Sequence, residues 1–186
     1  MYKVIAFAAL SACLVWVSRG SLRSLRSPRP HGFYRFFVFE AILLLFLLNV
    51  DIWFRSPFSW HQIVSWILLM VGFVPLGFGV HSLVTKGKPT EDRQEDDQLL
   101  GFEKTTELVT TGIYRYIRHP LYSSLLMLAW GIFFKAPSWP GALLVVAATL
   151  LLVATAKADE AECVHYFGPP YQAYMRRTKM FVPWLF

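Results

Sequence analysis

The sequence predicts an all-α integral membrane protein of about five transmembrane helices, the last two forming a helical hairpin that leads into a cytosolic tail with short helices. Three observations predict it. Of 186 residues, 55% are hydrophobic and only 16% are charged, whereas a soluble domain carries about a quarter charged residues. The apolar residues gather in long runs without the alternation of membrane-barrel strands, so helices are the way their backbone can be satisfied in lipid. The basic residues concentrate in three of the segments between runs, as the positive-inside bias requires. The net charge of +6 therefore fits a membrane surface and calls for no nucleic acid. The length suits one domain, 1–186.

A helix needs roughly 20 apolar residues to cross the hydrocarbon core. The first candidate runs from about Val4 to Val17. Arg19, Arg23, Arg26, Arg29 and Arg35 follow it at once, which marks a retained helix with that end in the cytosol rather than a cleaved leader. The second runs from about Phe36 to Phe54, the third from about Ile63 to Val84, the fourth from Pro120 to about Ala136 and the fifth from Ala142 to about Ala158. Pro137 to Gly141, PSWPG, is read as the tight breaker between the last two. The chain thus divides into three N-terminal spans (1–84), a cytosolic loop (85–119), a hairpin (120–158) and a cytosolic tail (159–186). With Lys157 counted in the tail, the segment 18–35, the loop and the tail hold fifteen of the eighteen Lys and Arg residues, leaving Lys3, Arg55 and Lys135 on the other side. Glu40 and Asp51 lie near the ends of the second span and are read as snorkelling to the interface, although acids inside spans are functional candidates by default. His81 is treated likewise. The charged stretch 86–98 is solvated loop. Cys13 and Cys163 have neither metal-ligand spacing nor a disulfide framework, and no metal is expected.

Titratable and aromatic residues gather in two stretches, Thr105 to Ser124 and Asp159 to Pro183. Because the fourth and fifth spans form a hairpin, the two stretches emerge on the same face. They are expected to line a cavity at the membrane boundary with Tyr114, Tyr116, Arg118, His119, Tyr122, Asp159, Glu160, Tyr166, Phe167, Tyr171 and Tyr174. Glu162 and His165 are read as structural.

The string VTTGIYRYIRHPLY, Val109 to Tyr122, resembles the signature shared by isoprenylcysteine carboxyl methyltransferases and phospholipid N-methyltransferases. Those proteins carry a Thr/Ser-Gly-x-Tyr turn, then Arg-His-Pro-x-Tyr, and a second block of two acids, Phe-Gly, tyrosines and a terminal proline. The second block reads here as Asp159-Glu160, Phe167-Gly168, Tyr171, Tyr174 and Pro183. The resemblance covers about residues 98–186. It implies S-adenosylmethionine as methyl donor, leaving as S-adenosylhomocysteine, with cofactor contacts at Thr106, Glu107, Leu108, Val109, Tyr114, His119, Pro120, Leu121, Tyr122 and Asp159. The family usually has Glu at the position of Asp159, which can shift contact to Glu160. The eukaryotic isoprenylcysteine enzymes carry an arginine at the position of Thr155.

The residue types suit that chemistry. A carboxylate can pair with the donor's amino group or ribose, Arg118 can hold a carboxylate, and aromatic faces attract a sulfonium. Methyl transfer is an in-line displacement whose rate comes mostly from alignment and exclusion of water. Arg118 and Glu160 are the expected catalytic residues, Glu160 as proton acceptor for an amine or thiol. The methyl acceptor is expected to be lipophilic or small. Two other readings use the same residues: an NADPH-dependent sterol-type reductase, and a membrane scaffold or transporter subunit that kept the fold without the chemistry.

Overall fold

A computed structural model describes residues 2–17, 31–89 and 103–185. Arg19, Arg23, Arg26 and Arg29, and most of the charged stretch 86–98, lie outside the described residues. Among the described residues six α-helices follow in order: α1 (Tyr2–Val17), α2 (His31–Asn49), α3 (Trp60–Lys86), α4 (Pro120–Phe133), α5 (Trp139–Phe167) and α6 (Pro169–Met175). A 3-10 turn, Val50–Ile52, extends α2, and another, Gly112–Arg115, precedes α4. Among the described residues there is no strand, only two isolated bridges. Of the described helices, three are long and apolar enough to cross a bilayer: α2 with its 3-10 extension, α3 and α5. The helices α1 and α4 are shorter, 16 and 14 residues, about 24 and 21 Å at 1.5 Å per residue.

The bundle is built from two tightly packed pairs, α3 with α4 and α2 with α5, with α4 also meeting α5. Small residues make the close approaches possible. Gly72, Pro75, Gly79 and Ser82 form the buried face of α3. A Cβ added at Gly79 would sit 3.1 Å from the Pro120 ring, and one at Gly131 would sit 2.9 Å from the Leu69 side chain. Where helices cross within lipid, such small residues let backbones approach. Between α2 and α5 the core is Val38, Ala41, Ile42 and Leu45 against Val145, Ala148, Leu152 and Ala156.

Helix α4 ends inside the protein, and its terminal carbonyls are satisfied by side chains. Asn49 Nδ2 donates to the Ile132 carbonyl at 3.1 Å, and Gln62 Nε2 to that of Lys135 at 2.9 Å. The His61 ring meets the Phe134 carbonyl at 3.0 Å. In an apolar surrounding an unpaired carbonyl is costly, so these side chains let α4 stop short. Lys135 is buried, bonded to Gln62 Oε1 at 3.1 Å, with its ammonium 3.2 Å from the Trp66 ring centroid. Desolvation lowers its pKa to about 8.

Several boundaries differ from those expected. The breaker spans 134–138 rather than Pro137 to Gly141. Ser138 caps α5 by accepting from the Gly141 N–H at 3.2 Å, and Pro140 is tolerated because a first-turn N–H has no helical acceptor. At its other end α5 continues about two and a half turns past Ala158, to Phe167. The sequence DEAECVHYF has good helix formers and nothing to stop it before Gly168, whose φ is +64°, and Pro169. Asp159 and Glu160 thus sit within a rigid helix rather than in a tail. Helix α2 starts at His31, so Glu40 lies mid-helix. Its Oε2 accepts from Ser11 Oγ of α1 at 2.6 Å, and its Oε1 is buried without a partner among the described residues. Asp51 is exposed and pairs with Lys3 at 2.7 Å and with the Tyr2 hydroxyl.

Candidate active site

The site lies where the start of α4, the last turns of α5 and the segment after α6 converge. Residues 116–119 and 179–180 run side by side: Arg118 N donates to Lys179 O at 2.8 Å, His119 N to Met180 O at 3.1 Å, and Lys179 N to Tyr116 O at 3.1 Å. The two motif blocks are therefore tied together by backbone hydrogen bonds. His119 precedes Pro120 with φ −123° and ψ 63°, outside helical geometry as a pre-proline residue requires. Pro120 then opens α4 and fixes Tyr122 on its first turn.

The polar centre is a chain of buried side chains. His119 Nδ1 lies 3.5 Å from Asp159 Oδ2 and its Nε2 lies 3.3 Å from Glu160 Oε1. Both ring nitrogens face a carboxylate, the arrangement of an imidazolium donating twice. Burial pushes the His119 pKa down, but the bonds to Asp159 and Glu160 outweigh it and the net direction is up. Glu160 Oε1 also accepts from Arg118 Nε at 2.7 Å. One terminal nitrogen of Arg118 is bonded to the carbonyls of Met175 and Thr178. The Tyr122 hydroxyl donates to Asp159 Oδ2 at 3.2 Å, and the Tyr122 ring stacks on that of His119 at 5.3 Å. The Tyr174 hydroxyl donates to the Tyr114 carbonyl at 2.7 Å. Desolvation raises the phenol pKa values of Tyr114, Tyr171 and Tyr174, so these rings remain neutral.

A cavity opens beside this chain. Leu108, Val109, Tyr114, Arg118, His119, Pro120, Leu121, Tyr122 and Asp159 line it, joined by Phe167, Tyr171 and Tyr174. Thr106, Glu107 and Glu160 are absent from the wall. Thr106 and Glu107 turn to solvent: Thr106 Oγ1 donates to Lys88 O, and Glu107 pairs with Lys88 at 2.6 Å. Glu160 stands behind the wall, held between Arg118 and His119. Tyr116 and Tyr166 are also exposed, Tyr116 beside Trp184.

Sequence reasoning missed Leu83, Glu103, Thr105, Glu162 and Cys163, all on the wall. Glu162 and Cys163 follow Asp159 by three and four residues, the spacing that puts helical residues on one face; the signal was legible once α5 was continued. Glu103 carries no motif. It is fixed by Arg35 of α2 at 2.9 Å, with both side chains largely buried. His31, also of α2 and 1% exposed, meets Glu162 Oε2 through Nδ1 at 2.6 Å. His31, Asp159 and Glu162 bring their ligand-type atoms within 4.8 Å of one another.

The class defined by this fold and site is a polytopic helical protein with an acid-lined, aromatic cavity at one end of its apolar bundle. Over residues 60–167, more than half of its length, the chain matches the phospholipid methyltransferase family. It belongs to that family and is a membrane methyltransferase by that membership. No curated protein and no solved structure matches it.

Proposed function

We propose that the protein transfers a methyl group from S-adenosylmethionine to an amine carried by a lipophilic or small acceptor at the cytosolic membrane boundary. The observation that carries this reading is the cavity wall: three carboxylates, Glu103, Asp159 and Glu162, stand beside five aromatic rings. Aromatic faces and carboxylates favour a cation, which both the sulfonium donor and an ammonium acceptor provide. Arg118 has Nε and one terminal nitrogen engaged by the protein, which leaves no full fork for a carboxylate acceptor. Thr155, at the place of the arginine in eukaryotic isoprenylcysteine enzymes, is fully buried and bonded to the Leu151 carbonyl.

In this reading Asp159, Tyr122, His119, Pro120 and Leu121 hold the donor from one side, and Leu108, Val109 and Tyr114 from the other. Thr106 and Glu107 act through the loop that carries Leu108. Arg118 and Glu160 form a positioning pair that fixes His119, and Arg118 offers its remaining nitrogen to the donor's carboxylate. The space within the cavity is about 110 Å³, smaller than the roughly 300 Å³ at the low end for ligand pockets. Donor entry therefore requires the cavity to widen. The Gly87 carbonyl accepts from both Thr106 and Glu107 N–H and tethers the loop that carries Leu108 to the end of α3.

Five spans, with the site and C-terminus in the cytosol, complete the proposal. A second, almost wholly apolar cleft of about 660 Å³ lies between α1, α2, α3 and α4, lined by residues such as Cys13, Phe39, Met70 and Leu128. It gives the acceptor's hydrocarbon part a place in the membrane. The test is incubation of membranes with methyl-labelled donor and identification of the product. Label on an amine nitrogen is expected; label on a carboxylate oxygen alone would contradict the acceptor class.

A further inference from the structure

Methylation of an ammonium needs a proton acceptor, because a protonated nitrogen has no lone pair to attack with. Within the proposed reaction, on which this inference rests, the carboxylates of the site are not equivalent. Glu160 is off the cavity wall and shared by Arg118 and His119. Asp159 is on the wall, but accepts from Tyr122, faces His119 and lies 3.6 Å from the Cys163 thiol. Glu103 is on the wall but paired with Arg35 and only 12% exposed at its side chain.

Glu162 differs from all three. It is on the wall, its side chain is 35% exposed, and both of its oxygens are oriented from one direction. Oε1 accepts the His31 backbone N–H at 3.0 Å, and Oε2 meets His31 Nδ1 at 2.6 Å. His31 is buried, and its other ring nitrogen, Nε2, has no partner among the described residues. A carboxylate oriented by an imidazole, open on its remaining side to a cavity, has the makings of a general base. His31 lies on α2, outside the matched stretch 60–167, and Glu162 stands at neither acid of the paired-acid motif.

We infer that Glu162 is the proton acceptor of the transfer and that His31 is the residue that positions it. The incoming ammonium gives one N–H proton to the Glu162 carboxylate. The freed nitrogen lone pair forms the N–C bond to the donor methyl, and the breaking C–S pair returns to sulfur, which becomes a neutral thioether. The product leaves as a methylated ammonium, and Glu162 releases its proton to water. The charged and titratable groups around Glu162 are His31 and Arg35 from α2, Asp159 and Cys163 on α5, Glu103, Tyr114, Arg118 and His119 from the segment before α4, Tyr122 on α4, and Tyr171 and Tyr174 on α6.

The test compares wild type, Glu162→Gln, His31→Asn and His31→Phe in the full chain. S-adenosylhomocysteine binding is measured first, then the pH profile of methyl transfer to dodecylphosphoethanolamine. Glu162→Gln is expected to keep S-adenosylhomocysteine affinity within about twofold while kcat falls about 100-fold, the scale of a lost general base. The residual rate should climb with pH toward that of the free amine. His31→Phe removes the N–H that orients the Glu162 carboxylate, so kcat should fall while S-adenosylhomocysteine binding is kept; His31→Asn, which keeps a donor, should restore it. Retained binding with unchanged kcat in Glu162→Gln overturns the inference, as does a parallel loss of binding and rate. Wild type that binds S-adenosylhomocysteine yet leaves the amine unmethylated at every pH also overturns it. Wild type that fails to bind S-adenosylhomocysteine removes the donor reading beneath it instead.

Discussion

His119 connects the two motif blocks through its side chain, standing between Asp159 and Glu160 with its backbone bonded to Met180. Its folded pKa is raised above the ordinary 6.5. The folded protein therefore holds this proton more tightly than the unfolded chain. The resulting stabilisation is complete below about pH 6.5 and is lost as pH rises through the raised folded value. The stability gap between wild type and His119→Gln, followed by thermal unfolding in detergent, should be widest at acid pH and shrink as pH rises. A gap that stays flat or widens would contradict the imidazolium assignment. At this scale much of the site was legible: the Arg-His-Pro-x-Tyr string named Arg118, His119 and Tyr122, and the paired acids named Asp159. Their different fates were not legible. Adjacent helical residues point about 100° apart, so Asp159 reaches the cavity wall while Glu160 turns behind it.

Helix α4 shows how a 14-residue apolar helix holds its place. It starts at a proline, packs through Gly131 against Leu69, and hands its last carbonyls to Asn49, His61 and Gln62. Asn49 is 2% exposed, and its loss removes the side-chain bond to the Ile132 carbonyl, which then keeps only backbone donors such as the Lys135 N–H at 3.1 Å. Asn49→Ala should cost about 0.5–1.5 kcal/mol, the net worth of one hydrogen bond, read as a lowered unfolding temperature in detergent, and an unchanged temperature would contradict the capping role. Hydropathy located all five apolar helices because each has a long apolar run. It could not show that Asn49, Gln62 and Lys135 are one polar cluster, since these residues are brought together from three elements. It also stopped α5 at the first acids. Helix propensity, rather than hydropathy, governs where that helix ends, and Gly168 with Pro169 was the signal.

Across the whole molecule, the half with no motif completes the site. The helix α2 supplies Arg35 for Glu103 and His31 for Glu162. Neither partnership has a sequence signature, because pairs between residues 68 and 131 positions apart exist only once α2 is packed against α5 and against the loop that carries Glu103. The helix α1 has no buried residue and is joined to α2 by Ser11–Glu40 and by Lys3 and Tyr2 with Asp51, walling the apolar cleft. The motif blocks are held side by side at one end of that bundle, as the hairpin topology requires. What the arrangement is for rests on a single claim, that the cavity beside His119 and Asp159 receives a sulfonium nucleoside. Titration calorimetry of S-adenosylhomocysteine into the purified protein tests it most directly. The account predicts saturable binding that weakens at least about tenfold, or 1.4 kcal/mol, when His119→Ala and Asp159→Ala are combined in a variant that still folds. No binding by the wild type, or affinity untouched in the double variant, would contradict it.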